Sequence, residues 1–195
     1  MRKFLPAWCL AGLLLLAACS DDPASDNEAD TPTQEEIEDL VQELGGQALA
    51  PIFRNAGAGK STVEIPIDET QTCPGGGTNQ VVGALSGESE SGAGILMMDL
   101  DDILTSCALD LEGQSYVVNT EPVLALTGTL VVAQGALQET QTMFMGGTLS
   151  LKPSRGPTLT CPIDLSFSVT LSNRSARVTG TACGVAVDVP LTFEA

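Results

Sequence analysis

The chain has 195 residues, the length of one domain with attachments. Acidic residues outnumber basic ones 25 to 8, giving a formal charge of −17 and a pI near 4.1. That balance excludes the phosphate-neutralising surface on which nucleic-acid binding depends. Histidine is missing altogether, which removes the commonest general base, the usual catalytic triad and the commonest metal ligand together.

Met1, Arg2 and Lys3 form a basic start, and residues 4–18 are apolar apart from a break at Pro6. The run is too short to cross a bilayer comfortably and closes on small residues, as secretory signals do. Its end reads Leu16-Ala17-Ala18-Cys19. This resembles the lipobox of bacterial lipoproteins, in which Leu, two small residues and a Cys close the signal. The resemblance covers residues 1–19 and implies that 1–18 is a signal peptide. It further implies that lipid is attached to the Cys19 thiol, that cleavage falls between Ala18 and Cys19, and that the new amine is acylated. Each buried methylene contributes about 0.8 kcal/mol, and more than one chain is needed for a stable anchor. In the family's sorting pattern an Asp directly after the Cys retains the protein in the inner membrane. Ser20 stands there, so the resemblance implies the outer membrane; Asp21 and Asp22 follow, and the periplasmic or surface face stays open.

Residues 19–32 join the lipidated Cys to an acidic segment. Positions 20–32 hold nothing apolar larger than Ala or Pro, so the segment cannot offset its ordering entropy by burial and is expected to be a tether. Residues 33–56 are expected to be helical. Thr33 and Glu36 fit a capping box, and Thr31 with Pro32 is an equally legal start. Ile37, Leu40, Val41 and Leu44 fall on one face. Gly45-Gly46 is expected to end the helix, with a second short turn around Pro51.

From 61 to 195 the period changes to two. Ile163, Leu165, Phe167, Val169 and Leu171 alternate with polar residues, and Val185, Val187, Val189, Leu191 and Phe193 alternate with Ala186, Asp188, Pro190, Thr192 and Glu194. Leu124, Leu126, Leu130 and Val132 repeat the pattern on even positions, and Met143, Met145, Leu149 and Leu151 on odd ones. Strict alternation buries one face and wets the other, the mark of antiparallel sheet. Ser172-Asn173-Arg174-Ser175 is expected to be a hairpin turn. The fold class is therefore all-β: an antiparallel meander forming a sandwich or barrel, preceded by a short amphipathic helix.

Apart from Cys9 in the signal and Cys19, four cysteines remain, Cys73, Cys107, Cys161 and Cys183. An even set in an exported protein reads as two disulfides with three possible connectivities. Thr70-Gln71-Thr72-Cys73-Pro74 recurs as Thr158-Leu159-Thr160-Cys161-Pro162, while Cys107 and Cys183 each precede an apolar run ending in Asp. This echo pairs Cys73 with Cys107 and Cys161 with Cys183. The parity of the neighbouring runs points Cys161 and Cys183 inward.

Other motifs are incomplete. Gly57-Ala58-Gly59-Lys60-Ser61-Thr62 ends like a phosphate-binding loop, but Arg54 occupies the leading Gly position and the segment follows a helix instead of a strand. Asp99, Asp101 and Asp102, with Asp110 and Glu112 nearby, are the one calcium candidate; the EF-hand pattern is missing and a solvated strand end is the plainer reading. No other metal site and no cofactor is implied. The leading expectation is a lipid-anchored envelope module, non-enzymatic, with a protein partner or a structural role. A carrier of an apolar ligand in a sheet cavity is the alternative, with Met97, Met98, Met143 and Met145 as an adaptable lining. A hydrolase using Asp or Glu is the third. Replacing Cys19 by Ala is expected to abolish palmitate labelling and release the chain from sedimenting membranes; persistent labelling would remove the anchor.

Overall fold

In the computed structural model, residues 31–55, 62–90, 93–134 and 136–193 are described. One helix, α1 (Gln34–Asn55), precedes ten strands: β1 (Thr62–Thr72), β2 (Thr78–Glu90), β3 (Ala93–Thr105), β4 (Cys107–Leu111) and β5 (Gln114–Ala133). They continue with β6 (Ala136–Leu137), β7 (Thr140–Pro153), β8 (Leu159–Thr170), β9 (Ser175–Ala182) and β10 (Val185–Thr192). All pairings are antiparallel, in the order β1-β2-β3-β5-β7-β8-β9-β10, with β4 and β6 also pairing onto β5. Among the described residues β1 and β10 do not pair, so the sheet is open, consistent with a sandwich and not with a closed barrel.

The alternation read from the sequence sets the two faces. Leu124, Leu126, Leu130, Met143, Met145, Leu149, Leu151, Ile163, Leu165, Phe167, Val169, Val187, Val189, Leu191 and Phe193 are all buried in one continuous core. Ser172–Arg174 form the β8–β9 turn, with the Arg174 amide bonded to the Leu171 carbonyl. β5 spans 20 residues and bends where its register against β7 shifts between Thr120 and Leu124. Opposite that bend Ser106 separates β3 from β4; its φ is 50°, and its amide donates to Asn119 Oδ1 at 2.7 Å. The bend lets one long hairpin turn the sheet over its own inner face.

α1 covers that face along the open seam. Its apolar stripe of Ile37, Leu40, Val41, Leu44, Leu49 and Ile52 is buried, each side chain contributing about 1.5–3 kcal/mol on leaving water. Thr33 and Glu36 form the expected capping box: the Glu36 amide donates to Thr33 Oγ1 at 3.2 Å and the Thr33 amide to Glu36 Oε2 at 2.8 Å. Pro32, assigned to the tether by composition, is buried and belongs to the folded unit. Residues 19–30 lie outside the described residues.

The helix corrects the expected boundaries. It runs unbroken through Gly45-Gly46 and through Pro51. A Cβ on Gly45 would stand 2.6 Å from Leu191 Cδ2 and 2.9 Å from Phe167 Cε1, so this glycine serves the close approach of helix to sheet, not a helix stop. Pro51 lacks the N–H that would bond the Gln47 carbonyl four residues back. Gln71 of β1 fills the vacancy, its Nε2 donating to that carbonyl at 3.2 Å. The interruption expected from the proline is thereby healed by the sheet.

These contacts separate two adjacent glycines. Gly45→Ala is expected to destabilise the protein by about 1–3 kcal/mol through overpacking against Phe167 and Leu191. Gly46→Ala, whose Cβ would meet nothing within 4 Å, should stabilise it by about 0.5–1 kcal/mol through helix propensity. Urea unfolding midpoints check the opposite signs.

Candidate functional site

The four paired cysteines lie at one end of the sheet. Cys73–Cys107 and Cys161–Cys183 are both formed. Cys73–Cys107 clasps the β1–β2 turn to β4, where the Gly75 amide donates to the Ala108 carbonyl at 2.9 Å and the Ala108 amide to the Gly76 carbonyl at 2.8 Å. Cys183 departs from the expected inward strand position. It occupies the β9–β10 turn with φ of 52°, followed by Gly184 at 81°, and is half-buried. Two successive positive φ values are what a tight hairpin turn matching the sheet twist requires, and the Cys-Gly pair supplies them.

A groove of about 460 Å³ opens at this end between α1, β4 and β10. Asp39 and Glu43 of α1 and Asp110 of β4 face it, over Leu109, Leu111 and Leu191. Glu112, in the β4–β5 turn, meets Asp39 at the rim. The charge of Asp39 and a hydrogen bond to its carboxyl raise the Glu112 pKa above the usual carboxyl value, with Glu35 and Glu36 adding to the crowding. Beneath the rim Tyr116 Oη donates to Glu36 Oε1 at 3.1 Å, a buried bond joining α1 to β5. A second groove of about 260 Å³ lies along the same helix, sharing Gln42, Glu43 and Thr192 with the first and adding Gln47, Gln71 and Phe193.

The calcium candidates do not converge. Asp99 and Asp101 are exposed on the outer face of β3, while Asp102 is on the inner face and fully buried. Among the described residues no group of three or more Cys, Asp or Glu could hold a metal ion. Asp102 belongs with Asn79: their strand partners are Val81 and Leu104, which makes the two diagonal neighbours on the inner face. Burial raises the Asp102 pKa from 3.8 to about 7, and the Asn79 side chain beside it acts in the lowering direction. Neither Asp102 oxygen nor Asn79 Oδ1 has a hydrogen-bond partner.

Of the four methionines, Met98, Met143 and Met145 are buried in the core and Met97 faces outward. Met98 and Met143 flank Gly128 of β5 in one cross-strand row. Met97 joins a surface that the sequence reading missed. Ile95 (53 % exposed), Met97 (63 %) and Phe144 (51 %) stand on the outer face of β3 and β7. Thr127 and Thr129 of β5 lie between them, and Thr142, Ser166 and Ser168 extend the band across β7 and β8. Strand parity alone marks these three as outward, since Leu96, Met98 and Met145 take the inner positions. Cys19 and residues 56–61, with most of the phosphate-loop-like segment, lie outside the described residues. Arg177 is bound to Asp188 at 2.6 Å on the exposed face of β9 and β10.

Compared with protein-family models, curated proteins and solved structures, the chain matches none.

The buried phenol–carboxylate bond gives a direct check on the helix-to-sheet contact. Tyr116→Phe is expected to cost about 1.5–3 kcal/mol, the range for a hydrogen bond to a charged group, measured by thermal or urea unfolding. An unchanged midpoint would show that Glu36 is held by its capping role alone.

Proposed function

We propose that the chain is a lipid-anchored protein of the bacterial outer membrane and acts as a non-enzymatic binding module for a protein partner. The anchor rests on Leu16-Ala17-Ala18-Cys19, and residues 20–30 serve as its tether. One observation carries the binding role: Ile95, Met97 and Phe144 are more than half exposed together on one sheet face. Single exposed hydrophobics are normal on a soluble surface, but a grouped set with polar surroundings marks an interaction site. Methionine and aromatic residues are enriched at such contacts. Asp99 and Asp101 lie on β3 beside the band, with Asp164 on β8, so an approaching partner meets apolar contact at the centre and carboxylates at the rim.

Position-specific crosslinking tests the reading. A benzophenone side chain at Met97 is expected to give a discrete protein adduct in intact envelopes, lost when Ile95 and Phe144 are both changed to Ser. The same probe at Thr181, on the outer face of β9, should give none. Equal adducts at both positions, or none at Met97, would overturn the binding role.

A further inference from the structure

We propose that Asp102 is a proton-operated latch for α1: as a neutral acid it donates to Asn79 Oδ1 and lets the helix seat, and as a carboxylate it drives the helix off the sheet. Two orphaned groups carry this inference. Asp102 is wholly buried with both oxygens unpaired, and Asn79, its diagonal neighbour, has an unpaired Oδ1. Unpaired acceptors on two neighbouring buried residues are unfavourable, because each loses its water without a donor in return. A proton on Asp102 supplies the missing donor and satisfies both residues at once. The raised pKa of Asp102, about 7, agrees with that state.

The polar path runs from this pair to the helix and stops at its surface. Asn79 Nδ2 donates to Gln47 Oε1 at 3.0 Å, and Gln47 Nε2 donates to Glu43 Oε1 at 2.6 Å. The strand partners of Asp102 are Val81 of β2 and Leu124 of β5, Asn79 is its diagonal neighbour, and Asn79 leads on to Gln47 and Glu43 of α1. Glu43 is the one ionisable side chain in that set, and its like charge cannot relieve a carboxylate at 102. An ionised Asp102 therefore needs water, and the elements around it resist unequally. β2 is locked to β3 by a ladder that continues on both sides of Val81, and β5 by a ladder of nine pairs that ends at Asp102 and Leu124. α1 is held to the sheet by side-chain packing and side-chain hydrogen bonds, so it is the element that lifts. Lifting exposes Ile37, Leu40, Val41 and Leu44 and opens the seam between β1 and β10.

The sign follows from linkage. The seated form keeps its proton up to about pH 7, whereas the lifted form releases it near the ordinary value of 3.8. Seating is thus strongest below pH 3.8 and weakens up to about pH 7, beyond which both forms are ionised and the dependence levels off.

Native-state hydrogen exchange on the full mature chain tests the latch. Protection factors of the α1 amides between Leu44 and Leu49 are expected to fall about tenfold per pH unit inside that window. Amides of β7 and β8 should keep theirs. Asp102→Asn stays neutral and still donates to Asn79, so its α1 protection should not change with pH; Asp102→Leu, which removes the charge without the donor, should also lose the dependence. The carboxyl carbon of Asp102, followed by NMR in the unsubstituted protein, supplies a reading independent of any variant. A wild-type pH profile retained in Asp102→Asn, equal loss of protection in β7 and β8, or a carboxyl titrating in the ordinary range would each overturn the proposal.

Discussion

A sheet that ends without closing leaves two rows of backbone N–H and C=O groups in want of cover, and here α1 lies along both. It runs beside β10 in the same direction and beside β1 in the opposite one. Gln34 Nε2 donates to the Ala186 carbonyl of β10 at 3.0 Å, and Phe53 stacks on Phe193 with ring centroids 5.3 Å apart. Toward β1, Gln71 reaches the Gln47 carbonyl and Arg54 pairs with Glu69 at 3.1 Å. The edge strands carry a further guard. Pro66 in β1 and Pro190 in β10 are both exposed, and a strand proline offers an incoming chain one donor fewer. The helix is therefore the piece that turns a curved sheet into a closed body.

Gln47 is where that closure is specified. Its carbonyl is freed by Pro51 and taken by β1, while its side chain bridges Glu43 of the same helix and Asn79 of β2. Apolar packing alone would allow α1 to slide by a turn, because Leu, Ile and Val stripes repeat. Directional bonds at Gln47, with the Tyr116–Glu36 bond one end along, fix the register. The same placement builds the two grooves, whose helical wall is Asp39, Gln42, Glu43 and Gln47. Interior and surface are thus linked through few residues.

What the sequence made legible follows from how uniquely each signal maps to a cause. In β8 and β10 the inner positions are apolar, and in β7 Met143, Met145, Leu149 and Leu151 are, so period two allowed one register and one inner face. The repeated Thr-x-Thr-Cys-Pro similarly reached the cysteine pairing that forms. Gly45 misled because a helix stop and a tight helix–sheet approach both call for glycine, and only Phe167 and Leu191, more than 120 residues away, decide between them. Pro51 misled for the same reason: its remedy, Gln71, lies in another element. Asp102 was grouped with Asp99 and Asp101 by chemistry, although its even number sets it with Leu96, Met98, Leu100 and Leu104 on the buried side. Parity could have singled it out; its lack of partners could not be seen without the neighbouring strand. The outer band was hidden because Ile95, Met97 and Phe144 interrupt alternation only weakly among residues already rich in methionine and leucine.

The route by which the chain enters the fold has a mechanical side. Among the described residues α1 precedes every strand, so tension applied at Thr31 reaches the helix before any strand. Both disulfides sit at the end of the sheet where α1 begins, and they tie strands to strands, not the helix to the sheet. A pull along the helix axis loads the packed stripe, the Gln47 bonds and the Tyr116–Glu36 bond in shear, all together. A pull across it lifts the first turn alone, where Gln34 and the Glu36 contacts are the attachments. The direction of the load, more than its size, decides whether the domain resists as a unit or opens along its seam.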